Sequence, residues 1–212
     1  RAFRATAGGA AVTFVSFPAA AATTTFFYRD QLAGAWTITA SPGPSLPNPK
    51  STSTVITVLP GNVARVAWNP PIGGITLVAN SHQDTSGVPQ PLRMVLEDAY
   101  GNVNSTGVPV VVAFSTTVAG TEAGAGSSST GTWSFSLSSN PWSPAASVTM
   151  PANTNAMSVY YRDTFARSSA AYSARPTLRA DVVAGEPTPG DWTSAVSSVT
   201  VLPDRFTSRP LV

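Results

Sequence analysis

Cysteine is absent from this sequence. That removes disulfides, thiolate nucleophiles and cysteine-based zinc sites together. It leaves the compartment open, since many bacterial surface proteins also lack cysteine. Lysine is nearly absent, Lys50 being the only one, and the arginines are scattered. Nucleic-acid binding needs clustered Lys and Arg, so no nucleic-acid partner is expected. His82 is the only histidine, which excludes a metal site built from several histidines. Charged residues are 10% of the chain, against about a quarter in an ordinary globular protein. With a net charge of +2, the pI near 9.3 reflects how few groups titrate, not a basic surface. No run reaches the roughly 20 apolar residues of a membrane helix, so no membrane span is expected.

What is present favours strands. The chain has 212 residues with 16 Gly and 19 Pro, in a background of Ser, Thr, Ala and Val. That mix suits many short strands with frequent turns, and no segment carries a helical period. The length allows one large domain or two small ones. The start at Arg1 reads as a processed or truncated product. Arg1 and Arg4, the apolar run Ala10–Val15 and the small residues Ala19–Ala22 have the outline of a signal peptide. Pro18, the aromatic residues and an internal repeat fit strand ends better. The low charge and the Ser/Thr-rich composition point to an extracellular or cell-surface setting.

The repeat organises the reading. Phe27-Tyr28-Arg29-Asp30 returns as Tyr160-Tyr161-Arg162-Asp163, and Ile56-Thr57-Val58-Leu59-Pro60 returns as Val199-Thr200-Val201-Leu202-Pro203. The offset is 133 at Tyr28/Tyr161, 140 at Trp36/Pro176 and 143 at Val58/Val201. It grows only in loops, as insertions into a repeated β-module should. Residues 61–203 hold a complete module. Residues 1–60 hold the C-terminal half of one, and 204–212 a tail or the start of another.

Alternation and turn residues predict strands at Ala11–Phe17, Thr24–Asp30, Ala35–Ala40 and Thr54–Leu59 in the first copy. In the second they predict Val63–Trp68, Ile75–Ala79, Leu92–Glu97, Val108–Phe114 and Trp133–Ser138. Ala146–Met150, Met157–Asp163, Thr177–Val183 and Ser194–Leu202 follow. The Pro-rich Ser41–Lys50 and the Gly/Ser-rich Thr116–Gly131 read as loops. Trp36 and Trp133, on alternating strands, are expected in the core.

The order of these pieces carries a likeness. It runs from the Asp-Ala-Tyr-Gly-Asn turn at 98–102 through Trp133-Ser134-Phe135 and Val148-Thr149-Met150. Tyr160-Tyr161-Arg162-Asp163, Thr177-Leu178-Arg179-Ala180 and Val199–Pro203 complete it. This resembles the bacterial Ig-like repeats found in tandem in secreted and surface-anchored proteins, the invasin/adhesin-like group. Ala33-Gly34 matches the family's turn after the Tyr-Arg-Asp strand, whereas the second copy departs there with Phe165-Ala166-Arg167 and a longer loop. The resemblance implies an all-β fold of Ig-like β-sandwich modules, one complete and one partial, used as spacer, stalk or assembly unit. It marks Tyr28, Asp30, Tyr161, Asp163, Asp98, Gly101 and Asn102 as a structural signature.

Chemistry is sparse by comparison. His82 and Asp84 with many serines do not make a triad, because no Gly-x-Ser-x-Gly elbow surrounds any serine; a solvated loop histidine is the plainer reading. Asp30 and Asp163 end matching strands, where a carboxylate accepts amide bonds from the following turn. Tyr28 and Tyr161 should bury their rings and bond the hydroxyl to main chain. Asp98, Asn102 and Asn104 offer oxygen donors to calcium, but their spacing is not that of an EF-hand loop, and a Gly-Asn turn explains them; no cofactor is expected. Trp142 and Trp192 lie in loops and are the candidates for a ligand or partner surface. The expected function is an extracellular structural or assembly subunit of a surface layer, filament or adhesin stalk, not an enzyme. It would self-associate, or join other surface-protein subunits, by β-strand addition. The alternative is a carbohydrate-binding or adhesive module with polysaccharide as its ligand.

Overall fold

The computed structural model describes residues 1–43, 50–118, 133–164, 175–185 and 191–203. Thr116–Val118, expected to open the Gly/Ser-rich loop, instead continue a strand, because they pair with Pro176–Leu178; the rest of that loop, the Phe165-Ala166-Arg167 departure, most of the Pro-rich loop and the tail after Pro203 lie outside the described residues. The fold is all-β, with one short 3-10 turn at Ile72–Gly74 among the described residues. The chain forms two compact units. One holds residues 1–61 together with Tyr100–Asn102, and the other holds residues 62–99 and 103–212.

The second unit is sandwich-like. One four-stranded sheet has the order β10 (Trp133–Ser136), β12 (Ala156–Asp163), β8 (Leu92–Asp98), β6 (Val63–Trp68). The other has the order β11 (Ser147–Met150), β9 (Val110–Val118), β13 (Pro176–Ala184), β14 (Ala195–Ser198). A third, parallel pair joins β7 (Thr76–Val78) to β15 (Thr200–Leu202). Period-2 alternation supplies the shared core: Leu92, Met94 and Leu96 from β8, Val110, Val112 and Phe114 from β9, Val159 and Tyr161 from β12, Leu178 and Ala180 from β13.

The first unit is smaller and more open. β1 (Ala2–Arg4) lies between β2 (Ala11–Val12) and β3 (Phe27–Arg29), and β4 (Gly34–Ala40) pairs with β5 (Thr52–Val58). Ile38 is the one large apolar side chain among its described residues that is buried, at 8% exposure.

The sequence repeat is a repeat of strand register. Ala2↔Arg29 and Phe3↔Tyr28 pair in the first unit as Ser134↔Arg162 and Phe135↔Tyr161 pair in the second. Thr37↔Val55 and Ala40↔Thr52 likewise match Thr177↔Ser198 and Ala180↔Ala195. So β1, β3, β4 and β5 are the counterparts of β10, β12, β13 and β14. The copies part after Val55. β5 stays on β4 through Val58↔Gly34, whereas the second copy breaks at Val199 and turns β15 onto β7.

Several expectations change. The strand expected at Ala11–Phe17 shrinks to Ala11–Val12, and Thr24–Asp30 to Phe27–Arg29. β1 carries too short a pattern to announce itself. β8 is buried on both faces from Met94 to Asp98, with Glu97 paired to the Arg65 guanidinium, so Val95 and Glu97 do not face solvent. Trp133 shares a face with Phe135 but sits at the end of an edge strand and is 40% exposed, while Phe135 is 1% exposed. Trp36 is also outside any core. The Arg1 guanidinium lies 3.6 Å from its ring and its Nε1 donates to the Leu32 carbonyl.

Candidate functional site

Residues two apart on a strand share a face, so the tyrosine of a Tyr-x-Asp sequence can reach the carboxylate. Both copies do this. Tyr161 Oη donates to Asp163 Oδ2 at 3.1 Å, and Tyr28 Oη donates to Asp30 Oδ2 at 2.6 Å. The hydroxyls were expected on main chain; the carboxylate two residues on lies nearer and is the stronger acceptor. Each ring meets the phenylalanine opposite it. The Phe135–Tyr161 centroids are 5.1 Å apart at 52°, and those of Phe3–Tyr28 are 5.2 Å apart at 47°. Such pairs contribute about 0.5–1.5 kcal/mol beyond their buried area. Asp30 Oδ1 also accepts the Leu32 amide at 3.1 Å, and Arg1 Nε lies 2.9 Å from Oδ2. The Tyr28 hydrogen bond, then the Leu32 amide and the Arg1 charge, hold the Asp30 carboxyl below its ordinary range against partial burial. The same hydrogen bond, with burial and the Asp30 charge, raises the Tyr28 phenol.

The outer face of β12 builds a second arrangement. Alternation that turns Tyr161 and Asp163 inward turns Tyr160 and Arg162 outward. There the His82 ring stacks on Trp142 (5.2 Å between centroids, 28°) and meets Tyr160 edge-on at 5.5 Å. The Arg162 guanidinium lies 4.6 Å from the Trp142 ring. Trp142 Nε1 and Arg162 Nε both reach Ser134 Oγ, at 3.2 and 3.3 Å. Partial burial, then the Arg162 charge, lowers the His82 pKa, so its ring is held neutral. His82 is therefore packed, not a solvated loop side chain. Its partners come from two segments distant from it in sequence, the Trp142 loop and β12, so the sequence does not bring them together; the outward pair Tyr160/Arg162 is the available signal. In the first unit the counterparts Phe27 and Arg29 are exposed. Asp84 caps its own loop, accepting from the amides of Ser86 and Val88 and from Gln90 Nε2.

The other singled-out residues are placed as follows. Trp192, expected on a loop surface beside Trp142, is 9% exposed and belongs to the core cluster of the second unit. Its Pro- and Gly-rich neighbours read as loop in the sequence, yet the indole is buried, so it presents no ring to a ligand. Gly101 holds φ at +88°, a conformation that glycine adopts without strain. Asp98 is buried. Asn102, grouped with the first unit, satisfies the turn after β3: its Nδ2 donates to the Gln31 carbonyl at 2.7 Å and its Oδ1 accepts the Ala33 amide at 2.8 Å. Asn104 Oδ1 accepts the Ser105 amide. Glu97 pairs with Arg65 at 2.7 Å. Among the described residues no group of three or more His, Cys, Asp or Glu is placed to hold a metal, and no helix is long and apolar enough to cross a membrane. No protein-family model and no characterised protein matches this sequence.

Proposed function

We propose that this chain is an extracellular structural subunit, of a surface layer, a filament or an adhesin stalk, built from Ig-like β-sandwich repeats. Neighbouring subunits are joined by strand pairing and apolar burial. The observation that carries this reading is the repeated register: the same residues of a repeated motif pair in the same way twice in one chain, as in a tandem array. The exposed apolar side chains of the first unit support it. Phe14 is 76% exposed, Phe17 61%, Phe27 43% and Leu59 77%. A surface with so few charges also packs laterally with little desolvation cost. Electron microscopy and sedimentation of the purified chain test it. Higher-order particles that weaken when Phe26 or Tyr28 is replaced by alanine are expected; a monomer at every concentration sinks the reading.

A second reading rests on the cluster of Trp142, His82 and Tyr160. Aromatic rings gathered on a surface are what a polysaccharide ligand stacks against. Glycan-array binding that disappears in Trp142→Ala would favour it.

A further inference from the structure

We propose that the outer face of β12 is a binding site for an acidic polysaccharide, one whose sugars carry carboxylates. Trp142, His82 and Tyr160 take sugar rings, and Arg162 and Arg93 take carboxylates at the two ends. The inference rests on the carbohydrate reading above and adds the charge of the ligand.

Strand register brings together cations that are far apart in the sequence. Alternation turns Ser158, Tyr160 and Arg162 of β12 outward, and Arg93 of β8 outward beside them. Arg93 lies opposite Ser158, as Arg162 lies opposite Ser134. Arg162 follows Ser158 by four residues of strand, so the two arginines stand roughly 13 Å apart along β12. Tyr160 lies midway between them, with the His82 ring edge-on to it and Trp142 stacked on His82. The aromatic surface is thus bracketed by two positive charges. Ser158 and Arg93 are exposed, and Tyr160, Arg162, His82 and Trp142 each keep part of their surface exposed.

Neither charge is answered by a carboxylate. Arg162 gives its Nε to Ser134 Oγ and rests on Trp142, and Arg93 reaches the Asn69 carbonyl at 3.4 Å. Glu97, the carboxylate on the outer face of β8, is buried and held by Arg65. Asp84, in the His82 loop, is held by the Ser86 and Val88 amides and by Gln90. Among the described residues no carboxylate pairs with Arg162 or Arg93. A guanidinium offers a planar fork of donors that fits a carboxylate. Rings with such a fork at each end suit an extended anionic sugar chain. Its apolar sugar faces meet the rings, and its carboxylates meet the arginines. A nucleic acid carries a phosphate at every nucleotide, and two cations would leave most of them unmet.

The test is calorimetric titration of the full chain with three probes: oligogalacturonate, a neutral glucan oligosaccharide of equal length, and a single-stranded oligonucleotide. Oligogalacturonate is expected to bind about tenfold or more tighter than the neutral glucan, and to weaken as salt is raised. Arg162→Gln and Arg93→Gln should each weaken it by about tenfold, and Trp142→Ala by a similar factor. Thermal midpoints check that each variant folds. Arg93 is exposed, so its variant keeps the test alive even if Trp142→Ala unfolds. Equal binding of both sugars, lost in Trp142→Ala, overturns the acidic ligand and leaves the carbohydrate reading standing. Binding of neither sugar overturns the acidic ligand and leaves the glycan array to decide the carbohydrate reading. Uronate binding that survives both arginine variants, or a folded Trp142→Ala, is plain ion exchange and overturns the proposal. Oligonucleotide binding as tight as that of the uronate overturns it as well.

Discussion

Tyr28–Asp30 and Tyr161–Asp163 have the same sequence, the same intra-strand hydrogen bond and the same phenylalanine across the sheet, yet they differ in burial. Tyr161 is fully buried and Asp163 is 1% exposed. Tyr28 is only partly covered, and Asp30 is half-buried as a residue although its carboxylate lies under Tyr28 and Arg1 with its side chain 4% exposed. The difference lies in the neighbours. β12 is an interior strand between β10 and β8, whereas β3 ends its sheet. A local motif thus specifies a local hydrogen bond, and the tertiary context decides how much that bond stabilises.

The largest expected contrast is therefore in side-chain truncation. Tyr161→Ala removes a fully buried ring from a close-packed core and should destabilise the second unit by about 3–5 kcal/mol. Tyr28→Ala, at a partly solvated site, should cost clearly less in the isolated chain. Urea unfolding of the two variants measures both. Equal losses would mean that the first unit already has a core of its own. A smaller contrast follows from the hydroxyl alone. Tyr161→Phe withdraws a donor from a buried carboxylate, at about 1–3 kcal/mol. Tyr28→Phe leaves Asp30 with the Leu32 amide and Arg1, and should cost less than Tyr161→Phe.

The same contrast explains what could be read from the chain. Strands that pack into the core of the second unit include the closest matches to their sequence pattern. Val63–Trp68 is a strand over the residues that alternation marks, and Leu92–Glu97 and Met157–Asp163 differ by one residue at an end. In the first unit the pattern overran the structure, because Thr24–Phe26 have the residues of a strand but no ladder to join. Propensity does not supply a hydrogen-bonding partner. Trp142 was legible as a surface ring; its stack with His82 and Arg162 was not, since the three come from separate loops and strands. Trp192 misled because its neighbours signal a loop, and a loop's course says nothing about which of its side chains turns inward.

Titration sharpens the comparison further. The Asp30 carboxyl in the folded chain lies below its unfolded value. Its contribution is present above about pH 4 and is lost as pH falls through the folded value. The Tyr28 phenol lies above its unfolded value, so its contribution is complete below about pH 10 and is lost as pH rises through the folded value. The pair thus stabilises the first unit in the window between carboxylate and phenol titration. Asp30→Asn should flatten the acid side of that unit's stability profile, measured as thermal midpoint against pH.

The smallest effect belongs to the outward face of the same two strands. Arg162 lies against Trp142, whereas its counterpart Arg29 is solvent-exposed. Arg162→Gln should cost about 0.5–1 kcal/mol of cation–π stabilisation, and Arg29→Gln almost nothing. Arg162 also opposes the protonation of His82, though burial is the larger cause. Because the folded His82 binds its proton less readily than the unfolded chain does, stability falls as pH drops below about 6.5 and levels off once the folded value is passed. In Arg162→Gln the His82 titration, followed by NMR, should move part of the way back toward the ordinary imidazole value, and the acid loss of stability should shrink accordingly. A His82 titration unchanged by Arg162→Gln would mean that burial against Trp142 and Tyr160 alone holds the ring neutral.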